Sequence, residues 1–265
     1  MRRERGQAAI EWSATLLAVA LSLAALGWVA ARTDGWRLGE DVLHSIVCAV
    51  SQDCEAGQGA LERAYGGDIA SLVRRYAPNV AYERRSAQLP IDFRRCRQVA
   101  CANGADDPSE IDSSSSGLPV TAFTRVVDRR PAGALYLQFW FYYPESFSGG
   151  IGRKLGPLVD KWPGRHDDDW EGYQVRIGDG GQVAARATAH GGYSSDWSPW
   201  TGWYRVSGGS HAGQVVRGVA GERRTISKAL ELIPIESMRG LDDQRFTISP
   251  PWRKDVYMLP ESASS

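Results

Sequence analysis

The chain has no net charge: 31 basic and 31 acidic residues balance over 265 positions. With no long basic run and no nucleic-acid-binding motif, that balance removes the electrostatic case for DNA or RNA as a partner. Common catalytic signatures are missing too. There is no glycine-rich phosphate loop, no G-x-S-x-G and no H-E-x-x-H. Regular β-α alternation is absent, which argues against doubly wound and barrel α/β folds. Cysteine is scarce, at four residues. Cys48 and Cys54 form one close pair and Cys96 and Cys101 another, both too widely spaced for the tight C-x-x-C pairs of a zinc site. Of the three possible pairings, two local disulfide loops are the simplest in an oxidising compartment. Histidine is equally scarce, and three of the four lie between 166 and 211.

What is present divides the chain unevenly. Trp12 to Ala31 is a run of apolar and small residues without a charge. Roughly 20 such residues span a bilayer core as a helix. Arg2, Arg3 and Arg5 precede the run and favour a cytoplasmic N-terminus. The expected organisation is a leader at 1–11, a transmembrane helix at 12–31, an extracytoplasmic stalk with a short helix at 32–75, and a β domain at 76–262. A cleaved secretory leader is the alternative, but the apolar run is longer than a signal core.

Within 58–75 the apolar spacing predicts a short helix or helix pair interrupted at Gly66-Gly67. Residues 103–118 are acidic and serine-rich and read as a solvated loop. Ala134 to Tyr143, ALYLQFWFYY, reads as a strand covered on both faces. Further strands are expected at 173–177, 182–190 and 202–206, with a tight turn over Gly178–Gly181. The segment ISKALELI within 222–239 is expected to add one helix. The resulting fold class is mainly β: a β-sandwich with a few peripheral helices behind one membrane helix.

The densest chemistry is His166-Asp167-Asp168-Asp169-Trp170-Glu171. On a strand, Asp169, Glu171 and Tyr173 share one face and Trp170 points the other way. His166 lies on the entering loop. An imidazole with two carboxylates suits a hard or mixed-ligand cation, and the same groups suit acid–base work. His190, in A-H-G-G-Y, and His211, in G-S-H-A, lie beside glycines and are the candidate acid–base residues if the protein is an enzyme. Asp167 and Asp168 read as a solvated acidic turn. Tyr193, Trp197, Trp200, Trp203 and Tyr204 offer aromatic faces suited to sugars or interfaces, with ordinary packing as the alternative.

These motifs also recur together in known families. Pro78, Leu-Pro-Ile-Asp-Phe at 89–93, Gln-Phe-Trp-Phe-Tyr-Tyr-Pro at 138–144, His-x-x-Asp-Trp-Glu at 166–171 and Gly-Ser-His-Ala at 209–212 come in an order that resembles the vacuolar protein sorting-associated family. The same order is similar to the necrosis- and ethylene-inducing-like proteins, whose motif is Gly-His-Arg-His-Asp-Trp-Glu. The resemblance implies a β-sandwich and a divalent cation held by His166, Asp169 and Glu171, with Glu145 or Asp160 as a further acidic ligand. It departs at Asp168, where the necrosis-inducing motif has its second histidine, which counts against lytic activity. Separately, Gly6 and Glu11 before the apolar run resemble the processing site and helix of TadE-like and pilin-like proteins.

These readings converge on a membrane-anchored extracytoplasmic protein that binds a divalent cation, with calcium, magnesium or manganese ahead of zinc. Through the cation it would take a glycan or a lipid headgroup. A metal-dependent hydrolase and a pilus-associated structural protein are the alternatives.

Overall fold

The computed structural model describes residues 59–83, 88–104, 110–147, 165–189, 191–218, 225–238, 240–241 and 244–260. The chain divides into two units, Met1–Glu55 and Ala56–Ser265. The first lies outside the described residues, and so do the expected membrane helix, Gly6, Glu11, Cys48 and Cys54. Among the described residues no helix is long and apolar enough to cross a membrane.

The second unit is mainly β. Its strands are β1 (Asn79–Tyr82), β2 (Thr121–Arg129), β3 (Ala134–Phe147), β4 (Arg165–Gly178), β5 (Val183–Ala189), β6 (Gly192–Tyr193), β7 (Ser198–Pro199), β8 (Trp203–Val206), β9 (Gly213–Val215), β10 (Thr225–Ser227) and β11 (Glu231–Pro234). The helices are α1 (Gly59–Tyr65), α2 (Gly67–Tyr76), α3 (Val99–Ala102) and α4 (Asp255–Met258). A large sheet runs β11-β2-β3-β4-β5-β6, with β7 also on β5, and a smaller sheet runs β10-β1-β8-β9.

The composition of β3 explains the layering. Its odd positions, Leu135 to Tyr143, pack with Val80, Tyr82, Tyr204 and Val206 of the small sheet, which makes the core of a sandwich. Its even positions Trp140 and Tyr142 face the other way, into a second cluster with Phe93, Trp170 and Tyr257. Segments 88–104 and 235–260 form that outer cover. A strand covered on both faces loses the usual polar alternation, which is why its sequence is nearly continuous in apolar groups. The one amide there, Gln138, donates to the Tyr257 carbonyl at 2.7 Å.

Several expectations need correction. The helix pair at 59–76 packs on the β domain: Leu61, Ala70, Val73 and Tyr76 belong to the inner core. Its break is real, and Gly66 takes φ 77°, a conformation that favours glycine. Segment 225–234 is two strands rather than a helix. Leu230 and Leu232 turn to the inner core, while Ile233 and Ile235 turn to the outer one. That is period two, not 3.6, and β11 pairs in parallel with β2. Within the acidic, serine-rich stretch Ser113 bridges Pro119, and Ser114 is buried. The turn at Gly178–Gly181 and the local disulfide Cys96–Cys101 are present as expected.

Candidate functional site

The site is built on β4, beside β3 in the large sheet. Asp169 stands opposite Tyr143 on β3, Glu171 opposite Phe141 and Tyr173 opposite Phe139. Directly opposed residues share a face, and all three β3 partners belong to the inner core. Both carboxylates therefore point inward, while Trp170 packs in the outer cluster. Asp169 is 6% exposed and Glu171 2% exposed.

Each carboxylate is held. The loop between β8 and β9 brings His211, 2% exposed, so that Nδ1 lies 2.9 Å from Asp169 Oδ2. The imidazole stacks flat on Tyr143, with ring centroids 3.9 Å apart. Beyond Ala187 the β4–β5 ladder ends, and Thr188 substitutes for it. The Gly172 amide donates to Thr188 Oγ1 at 2.6 Å, and that hydroxyl donates to Glu171 at 2.5 Å. Burial lowers the pKa of Lys254, while the charges of Glu171 and Asp169 oppose that shift, so its ammonium lies within the field of both.

Buried tyrosines complete the inner wall. Tyr204 stacks on Phe141 at 5.0 Å. A Cβ at Gly213 would come within 2.5 Å of the Tyr204 hydroxyl, so only glycine leaves that ring its place. The hydroxyls of Tyr143, Tyr173 and Tyr204 are buried without a partner among the described residues. Burial raises the Tyr143 and Tyr204 phenols well above their ordinary value, and the neighbouring carboxylates push the same way.

Backbone strain marks the same place. Among the described residues two non-glycines have positive φ, Asp168 at 58° and His211 at 52°. Such conformations cluster at functional sites because surrounding contacts must enforce them. Asp168 is not the solvated turn residue expected from sequence; it is buried on the outer face. Its Oδ1 accepts from Arg97 Nη2 at 2.7 Å and from the Tyr142 hydroxyl at 2.8 Å, and its Oδ2 accepts from the Thr247 amide at 2.7 Å. Burial pushes this carboxyl up, but these bonds and the Arg97 charge outweigh it and leave its pKa below the ordinary value. Neighbouring Asp167 is exposed, as expected.

Of the remaining expected site residues, His166 and Glu145 are described. His166 is half-buried, with Nδ1 3.4 Å from the Asp167 carbonyl. Glu145 is paired with Arg165. His190 and Asp160 fall outside the described residues. Among the described residues no three His, Cys, Asp or Glu side chains are grouped to hold a metal ion. Asp169 and Glu171 alone match the donor type of a hard cation, which magnesium can take through one or two carboxylates and water; the unpartnered tyrosine hydroxyls add polar oxygen beside them. The expected aromatic platform is packed instead. Tyr204 is buried, Trp200 meets Tyr76 edge-on, and Tyr193 and Trp197 lie 3.3 and 4.2 Å from the guanidinium carbon of Arg186. The large apolar residues exposed among those described are Val99 and Leu259.

No family model and no curated protein matches the chain. Solved structures do match in part. A toxin fold for microbial attack and plant defense is 19% identical, with 65% of this chain and 76% of that chain covered, at a TM-score of 0.40. The non-toxic HaNLP3 protein is 12% identical over 65% and 77% of the two chains, at 0.41. NLPPya in complex with mannosamine is 18% identical over 65% and 76%, at 0.36. Likeness at this level assigns neither ligand nor activity to this chain.

Proposed function

We propose that this chain is a membrane-anchored extracytoplasmic binding protein whose β-sandwich holds a hard divalent cation against Asp169 and Glu171. The cation in turn recruits a polar ligand such as a glycan or a lipid headgroup. The observation that carries this reading is the burial of two carboxylates side by side on one strand face. An ionised carboxylate withdrawn from water needs a compensating cation or dense hydrogen bonding. His211 and Thr188 supply hydrogen bonds, the Lys254 ammonium supplies one positive charge, and a divalent cation supplies the rest.

Binding is favoured over hydrolysis by the setting of His211. Its pairing with Asp169 resembles an oriented acid–base dyad, but a general base must reach the proton it takes. Here the ring is buried and its Nδ1 is engaged by Asp169, which leaves Nε2 alone for that role.

The test is metal content and melting temperature of the full-length chain with and without chelator, beside Asp169→Asn and Glu171→Gln. A stoichiometric divalent cation in the wild type, lost from both variants with a lower melting temperature on chelation, supports the reading. A metal-free protein indifferent to chelator and to added calcium, magnesium and manganese defeats it.

A further inference from the structure

Asp168 and Asp169 are neighbours that serve opposite faces of one strand. The first is bound into the outer cover and the second into the inner site, and one peptide joins them. We propose that the Cys96–Cys101 loop positions the inner site from the outer face, with Arg97 acting through Asp168 on Asp169. The proposal rests on the reading of Asp169 and Glu171 as the binding carboxylates.

Three links form the path. The first is the loop itself, in which Arg97 lies between the two bonded cysteines. Its guanidinium is held on three sides. It donates to the Arg245 carbonyl at 2.8 Å and to Asp168 at 2.7 Å, and its guanidinium carbon lies 4.6 Å from the Phe246 ring centroid. A planar donor fixed in this way is a position, not only a charge.

The second link is the left-handed backbone of Asp168. A non-glycine residue keeps such a conformation when its surroundings enforce it. Arg97, Tyr142 and the Thr247 amide together fasten the side chain that enforces it here. Relaxation of Asp168 toward an extended φ turns the following residue, and the following residue is Asp169.

The third link is the hydrogen bond that Asp169 Oδ2 accepts from His211 Nδ1, a residue whose own φ is 52°. Strained backbone thus stands on both sides of one bond. Arg97 is accordingly a positioning residue that touches nothing in the site. A purely structural alternative has the same contacts merely fasten segment 244–260 to the sheet.

The experiment uses full-length chain in detergent, labelled with 13C at histidine Cε1 and kept in chelator. Four histidines give four signals at most, and His211→Gln identifies that of His211. The flat stack on Tyr143 makes this signal sensitive to ring position. Arg97→Gln, Asp168→Asn and the Cys96→Ser/Cys101→Ser pair are expected to displace it. Arg97→Lys keeps the charge, is the milder change for folding, and displaces it in the same direction. Arg95→Gln is the control: Arg95 lies beside the same disulfide and pairs with Glu231 and Asp92, so its loss perturbs the loop and leaves the signal in place. Cation affinity in the Arg97 variants falls with the displacement of Asp169.

An unmoved His211 signal in Arg97→Gln and Arg97→Lys overturns the proposal. Equal displacement in Arg95→Gln overturns it too, in favour of the structural alternative. The histidine readout needs no metal, so the two readings fail separately. A wild type that binds no cation, with a His211 signal that still follows Arg97, refutes the cation and keeps the positioning.

Discussion

Asp168 is where a single residue changes the meaning of the sequence. In a row of three aspartates it reads as surface, yet its carboxylate is buried under an arginine 71 positions away. Nothing local announces that partner. Its folded pKa lies below the unfolded one, so its stabilisation is full above the ordinary aspartate value and fades as pH falls through the folded value. Asp168→Asn is therefore expected to lower the melting temperature at neutral pH, and the gap from wild type should narrow as pH drops below about 4. Thermal unfolding from pH 7 to pH 2 measures this. A gap that stays constant across that range would mean the charge on Asp168 contributes nothing. His211→Ala should cost on the order of 1–3 kcal/mol in denaturant unfolding, because it leaves the buried Asp169 oxygen without its donor. Asp169 and Glu171 were legible from sequence: alternation alone put them on one face with Trp170 on the other. His166 was expected beside those two, and among the described residues it does not join them in a metal-binding group.

At the scale of elements, apolar runs and glycines were the readable signals. β3 was recognisable because only a doubly covered strand tolerates such a sequence. The helix pair was recognisable from spacing and from Gly66. Segment 225–234 was not, because Ile-Ser-Lys-Ala-Leu-Glu-Leu-Ile is compatible with either period. What decides it is the free edge of β2, which β11 pairs. Gly172 carries an element-level consequence of its own. It faces Trp140 across the ladder, and a Cβ there would come within 2.4 Å of the indole ring. Gly172→Ala is expected to lower stability by about 1–3 kcal/mol through overpacking. Near-ultraviolet circular dichroism should report the displaced tryptophan, and an unchanged spectrum with unchanged stability would count against the packing described.

At the scale of the whole molecule, the mainly β class was legible and the third layer was not. Sequence showed that β3 must be covered twice, but not that 88–104 and 235–260 supply the second cover. The membrane expectation belongs to this scale as well. The full chain should stay in the membrane fraction after alkaline carbonate washing, and a chain begun at Ala56 should not; release of the full chain would remove the anchor from the proposal.

The double cover of β3 has a consequence for how the chain is made. Ala134 to Tyr143 carries no charge, and its outer face is covered only in part, by Ile91 and Phe93, until segment 244–260 has been synthesised. Through that interval the strand resembles the uncharged, aromatic-rich segments that pair with one another when exposed. Yield in a cell should therefore follow how well nascent chains are kept apart, more than the stability of the finished protein.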